Sequence, residues 1–183
     1  MQSARRRFAV DGALAATLDE IRRDAEVSVG ALYHHFPDKA ALAAAVYAEV
    51  MGEYQAGFMT MLRGHETAEG GIRGGVAHHL RWVAANRSEA ALLLGDRLDS
   101  SRLQEANRAF FADVGDWWRP HHSYGVLRPM QGGVTAALWF GPAQEFSRYW
   151  IAGAESRMPR GVISTFADAA WKTLRANNIE EKS

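Results

Sequence analysis

Thr17-Leu18-Asp19-Glu20-Ile21-Arg22-Arg23-Asp24-Ala25-Glu26-Val27-Ser28-Val29-Gly30-Ala31-Leu32-Tyr33-His34-His35-Phe36-Pro37-Asp38-Lys39 is the stretch on which the fold turns. Leu18, Ile21 and Ala25 recur at helical spacing, and Thr17 followed three residues later by Glu20 has the form of a capping box. Ser28 is placed to cap a second short helix, whose inward residues are Leu32 and Phe36. Only Glu26 and Val27 separate the two. Two short helices, each with one apolar face and joined by so brief a turn, form the helix-turn-helix pattern. The first braces the unit, and the second presents its N-terminal residues to the major groove of DNA. Pro37 disfavours helix at Phe36, and Asp38 follows as the cap of a third helix.

Outward from this stretch the helical period continues. Leu42, Val46, Val50, Tyr54, Phe58 and Met61 make one apolar stripe. Gly70-Gly71-Ile72-Arg73-Gly74-Gly75 reads as a break or linker, after which Val76, Leu80 and Val83 resume the pattern as far as Asn86. Asn86 with Glu89, and Ser101 with Gln104, have the spacing of capping boxes. The helix opened by Ser101 runs through Phe110 and Val114 to Trp118 and is expected to stop at Pro120, leaving a polar loop over 119–129. A long helix over 130–153, interrupted at Gly141-Pro142, and a last one over 162–176 complete the chain before a polar tail at 177–183. Strand and hairpin signals are missing, so the fold class is all-α.

Composition narrows the function classes. The chain has no cysteine, which excludes disulfides, zinc–thiolate sites, iron–sulfur clusters and thiol catalysis. Twenty-one basic residues balance twenty-one acidic ones, which argues against an indiscriminate binder of nucleic acid or membrane. Residues 1–50 hold six basic side chains (Arg5, Arg6, Arg7, Arg22, Arg23 and Lys39) against seven acidic ones. DNA binding must then rest on a few placed cations and be salt-sensitive. No apolar stretch follows the arginines near Met1, and the longest apolar run, over 40–48, is far short of the roughly twenty residues of a membrane span. A cytoplasmic location without membrane partners is the expectation. Six of the seven histidines occur as adjacent pairs, which point about 100° apart on a helix and suit no single ion, so no metal or cofactor is expected. No nucleophile–base order or carboxylate pair stands out, and no enzymatic activity is expected.

The run Val27-Ser28-x-Gly30-x-Leu32-Tyr33-x-His35-Phe36-x-x-Lys39 closely resembles the DNA-binding signature of TetR-type (tetracycline-repressor-like) transcriptional regulators. Phe8-Ala9-x-x-Gly12 is similar to the end of that family's first helix, and Gly141-Pro142-Ala143 with Arg148-Tyr149-Trp150 is more weakly similar to its C-terminal helices. The resemblance implies a helix-turn-helix DNA-binding domain over 1–45 and a helical ligand-binding and dimerisation domain over 46–183. It implies DNA-binding roles for Thr17, Ser28, Val29, Gly30, Ala31, Tyr33, His34 and Lys39. Tyr33, His34 and Lys39 are expected on phosphates, and Ser28 to Ala31 nearest the base edges.

Two departures stand out. The family usually has glycine where this chain has Glu26, because that residue tends toward left-handed backbone angles. The first helix also starts almost at Met1 and is expected to be shorter than in the family. The resemblance further implies an effector pocket among the later helices, with Trp82, Phe110, Trp117, Leu138 and Trp139 as lining and His78 or Arg81 as polar handles. It implies a homodimer formed through the last two long helices, matched to a palindromic operator in double-stranded DNA. The leading expectation is a dimeric repressor released by a small hydrophobic or aromatic effector. The other is a helical ligand- or partner-binding protein of the same fold with weakened or lost DNA binding.

Overall fold

The computed structural model describes residues 1–95 and 101–176. In order come α1 (Gln2–Ala15), α2 (Leu18–Asp24), α3 (Val29–His35), α4 (Lys39–Arg63), α5 (Ala68–Ala85), α6 (Arg87–Leu94), α7 (Ser101–Ser123), α8 (Gly132–Ala152) and α9 (Val162–Leu174). The protein is all-α: among the described residues the only ladder contact is an isolated antiparallel bridge between Leu127 and Arg175. Residues 177–183, expected as a polar tail, lie outside the described residues, as does the side chain of Ser101 and therefore its expected cap.

Packing groups the chain into two compact units, Met1–Tyr54 with Asn86–Asn107, and Gln55–Ala85 with Arg108–Ser183. The first unit thus reaches beyond the 1–45 span of the motif. It includes α6, which packs against α1. Ala4, Phe8, Ile21, Leu32, Leu42, Val46, Val50 and Ala90 are buried there. In the second unit α5 packs on α8 and α9, around a core that includes Phe58, Leu62, Ile72, Val76, Leu80, Trp139, Ala143, Ala170 and Leu174. The stripe foreseen along α4 is real, although Leu62 is fully buried and its neighbour Met61 is not.

Four local expectations are corrected. The glycines at 70–75 are no linker, because α5 runs straight through them. A β-carbon at Gly71 would overlap Cζ2 of Trp117, and one at Gly75 would stand 2.9 Å from Cζ2 of Trp139. Glycine's helix penalty of about 1 kcal/mol is tolerated here because it lets α5 lie against two tryptophans. Pro120 does not stop α7, which continues to Ser123. It falls in the last turn, where the missing amide costs one bond, and Tyr124 N–H still donates to its carbonyl at 3.0 Å. Gly141-Pro142 does not interrupt α8 either, since buried Trp139 and Ala143 hold the helix on both sides. Asn86 stands at the N-cap of α6 but its side chain makes no capping bond, so that box is not formed.

Candidate nucleic-acid interface

The helix-turn-helix is built by local hydrogen bonds. At the start of α2 the capping box is complete: Glu20 N–H donates to Thr17 Oγ1 at 3.3 Å, and Thr17 N–H donates to Glu20 Oε2 at 3.0 Å. The Thr17 hydroxyl also donates to that carboxylate at 2.6 Å, so both of its donors are turned inward. These bonds, side chain first and backbone second, hold the Glu20 carboxyl below its ordinary pKa.

The turn that follows is a Schellman motif. Glu26 N–H donates to the Arg23 carbonyl at 3.1 Å, and Val27 N–H to the Arg22 carbonyl at 3.3 Å. Glu26 occupies the left-handed position with φ 56°, the conformation that glycine adopts most readily. Ser28 then caps α3 by accepting from Ala31 N–H at 3.1 Å, and Asp38 caps α4 by accepting from Ala41 N–H at 2.7 Å. Buried Ile21 and Leu32 face inward from α2 and α3.

What α3 leaves in solvent is the candidate reading surface. Val29 is 55% exposed and Tyr33 51%, while Ser28, Gly30, Ala31 and His34 are also exposed. Lys39 opens α4 and is half-buried. A β-carbon at Gly30 would meet nothing within 4 Å, so no packing inside the protein demands glycine at that position. The structure therefore brings Ser28 to His34 onto one short exposed helix, with Thr17 set apart as a structural cap.

The cations are the part that motif reading misses. Arg22 donates to Asp19 Oδ1 from Nε and Nη2, at 3.0 and 2.9 Å, and Arg23 Nε reaches Asp19 Oδ2 at 3.1 Å. Arg7 forks onto Asp24, and Arg5 onto Glu53 at 2.7 and 2.8 Å. The hydrogen bonds from Arg22 and Arg7 hold Asp19 and Asp24, respectively, below the usual carboxylate range. Arg6 is exposed and, among the described residues, forms no ion pair. With Arg7, Val10 and Asp24 it lines an open surface cleft of about 360 Å³. No sequence signal marked Arg6 above its neighbours, because the pairing depends on which carboxylate each arginine meets.

The residues expected to line an effector pocket separate into two sets. Trp139 is buried, donates its indole N–H to the Ile72 carbonyl at 3.0 Å, and stacks on Phe140 at 4.6 Å between ring centroids. Trp117 lies 6.2 Å from it, and Phe58 meets Trp139, Phe110 and His78 edge-on. Trp117, Trp139, Phe110 and His78 thus belong to one aromatic assembly keyed by Phe58, a residue the expected lining omitted. Trp82 is half-buried, Arg81 is exposed, and Leu138 is 37% exposed on α8. Neither Arg81 nor Leu138 joins the assembly through any ring contact or hydrogen bond recorded among the described residues. In the same unit His79 and Ser147 form a buried pair, Oγ to Nε2 3.2 Å, in which Ser147 donates to the Ala143 carbonyl at 2.7 Å. Burial, reinforced by His78 and Arg148, pushes the His79 pKa down to about 4, so the ring is neutral.

A helix-turn-helix carried on an all-helical chain defines the class: a transcriptional regulator fold. Residues 1–46 match the family model described as bacterial regulatory proteins, tetR family, so the resemblance seen in the motif is upheld over that span. Solved structures extend the likeness along the chain. A TetR family transcription regulator from Marinobacter aquaeolei VT8 superposes with a TM-score of 0.79 at 16% identity, covering 96% of this chain and 93% of that one. A bacterial regulatory protein of the tetR family from Rhodococcus RHA1 gives 0.74 at 21% identity, covering 97% and 95%. The transcriptional regulator FadR from Bacillus subtilis, solved in complex with stearoyl-CoA, gives 0.73 at 14% identity, covering 93% of each chain. No curated protein sequence gives a significant match. The protein has the TetR-family regulator fold, with the family's DNA-binding domain at its N-terminus. Among the described residues no helix is long and apolar enough to cross a membrane.

Proposed function

We propose that this protein is a ligand-responsive, dimeric transcriptional repressor that reads a palindromic operator with α3 and is released by a small hydrophobic effector. The observation that carries the reading is the capped, exposed α3, with Leu32 inward and Val29, Gly30, Tyr33 and His34 outward. In this reading Tyr33, His34 and Lys39 bond phosphates, while Ser28, Val29, Gly30 and Ala31 approach the base edges. Thr17 serves by fixing α2. Dimerisation is assigned to α8 and α9, and supported by Val134 and Tyr149 on α8, which are 47% and 78% exposed. The effector is assigned to the aromatic region around Trp117 and Trp139, with Trp82, Phe110, Leu138, His78 and Arg81 as further candidate contacts. The stearoyl-CoA held by the Bacillus subtilis regulator supports a ligand with a long apolar part. An effector that prefers the non-binding conformation by a few kcal/mol is sufficient for a useful switch. No catalysis and no cofactor enter this reading.

The test is fluorescence anisotropy on the DNA upstream of the protein's own gene, at two salt concentrations. Binding that weakens steeply with salt, and weakens again in Tyr33→Ala with Lys39→Ala, is the expected result. Binding unchanged by the double substitution, or no binding at low salt, would overturn the assignment. The second reading, a ligand-binding protein that no longer grips DNA, is favoured by one observation: Arg5, Arg7, Arg22 and Arg23 each face a carboxylate of their own unit. Absence of binding at low salt together with a thermal-shift response to acyl compounds would select it.

A further inference from the structure

We infer that the α3 surface selects its duplex by the methyl groups of thymine, with Val29 as the principal specificity-determining residue; this rests on the DNA-binding reading above. The first turn of α3 carries no amide, guanidinium or carboxylate side chain, the groups that make bidentate bonds to guanine or adenine or accept from cytosine. Ser28 Oγ accepts from Ala31 N–H, and its remaining O–H donor can meet an acceptor on any base pair, so it discriminates little. The apolar groups exposed beside it are the isopropyl group of Val29, the methyl of Ala31 and, just before them, Val27 at 37%. Gly30 stands between Val29 and Ala31 with open space where its β-carbon would be, so the backbone can come close to whatever faces it. Arg22 and Arg23, on the preceding helix α2, are both turned onto Asp19.

The apolar part of this surface complements one feature of the major groove. Among the base edges presented there, thymine alone offers a methyl group; the others present hydrogen-bond donors and acceptors. Against Val29 those polar edges would lose water and gain no partner, so a wrong base is rejected by its unpaired groups as well as by lost contact. The polar side chains of α3, Tyr33, His34 and His35, lie a turn further on, and in this reading Tyr33 and His34 hold the helix to the backbone. Val29 therefore sets which base is accepted, and Gly30 sets how closely the helix can approach it.

The test begins with selection of bound sequences from a randomised duplex library at low salt, using the full chain. The enriched half-sites should contain thymine at a fixed position. Replacing that thymine by uracil, which removes only the methyl, should weaken binding about fourfold per group lost. In Val29→Ala the same replacement should change affinity by less than about twofold. Val29→Thr, which keeps one methyl and nearly the same shape, should fall between the two. Unchanged thermal unfolding of both variants shows that the folded protein is being compared. Half-sites without thymine, no uracil effect, or a full effect surviving in Val29→Ala would each overturn the inference while leaving the DNA-binding reading intact. Failure to enrich any duplex overturns that reading, and this inference with it.

Discussion

Replacing Glu26 by glycine should stabilise the protein, because the Schellman turn holds this residue at φ 56°. A residue with a β-carbon in the left-handed region costs about 1–2 kcal/mol. Glycine removes that cost but brings a more flexible unfolded chain, which takes back about 0.4–1 kcal/mol. The net gain is about 0.5–1 kcal/mol, or roughly 1–4 °C in Tm for a chain of this size. The turn's hydrogen bonds come from backbone atoms, Glu26 N–H to Arg23 and Val27 N–H to Arg22, so they survive the substitution. Charge is a competing explanation, since Glu26 is one of seven acidic residues among the first fifty. Glu26→Ala separates the two: it removes the carboxylate and keeps the β-carbon. Thermal and urea unfolding of both variants should show a gain for Glu26→Gly and none for Glu26→Ala. Equal gains would show that charge and not backbone strain governs the turn. A loss in Glu26→Gly would refute the strain argument outright.

Other perturbations follow from the same contacts. Gly71→Ala drives a methyl group against the Trp117 ring and should cost about 1–3 kcal/mol in urea unfolding, with much of the loss restored by Trp117→Leu in the same chain. Thr17→Ala removes the α2 cap and should cost about 1 kcal/mol, measured in the same way. His79 gives a pH dependence. The unfolded chain takes up this proton near pH 6.5 and the folded protein only near 4, so above 6.5 neither form carries it. As pH falls from 6.5 toward 4 the unfolded state is favoured, and stability should drop by about 3 kcal/mol before levelling. In His79→Gln the part of the slope between those values should be missing, and an unchanged slope there would assign it to other groups.

These tests bear on how the reading surface works. A helix of seven residues, Val29–His35, has little stability of its own and is held by its caps and by buried Leu32. Gly30 weakens it further without any packing gain inside the protein. Such a choice makes physical sense where another molecule must approach the backbone. In the proposed reading, the carboxylates paired with Arg7, Arg22 and Arg23 limit the attraction to arbitrary DNA, which leaves recognition to the fit of α3 more than to charge.

What the sequence determined by itself is the helix-turn-helix and its punctuation. Thr17 with Glu20, Ser28 with Ala31, and Asp38 with Ala41 are caps made between residues three apart, and the left-handed turn at Glu26 is fixed by backbone bonds within the six residues Arg22 to Val27. Such features are written in contiguous residue types, so the chain can be read for them directly. The tertiary structure decided the rest. Glycines at 71 and 75 sit inside a helix because Trp117 and Trp139, distant in sequence, need the room. Pro120 and Pro142 are tolerated within helices because packing and a helix end absorb the lost bonds. Phe58 keys the aromatic assembly, and α6 joins the N-terminal unit, through contacts with no local signature. The partners of the arginines belong to the same class: a side chain's charge is legible in the sequence, but the carboxylate it meets is set by which helices lie beside it.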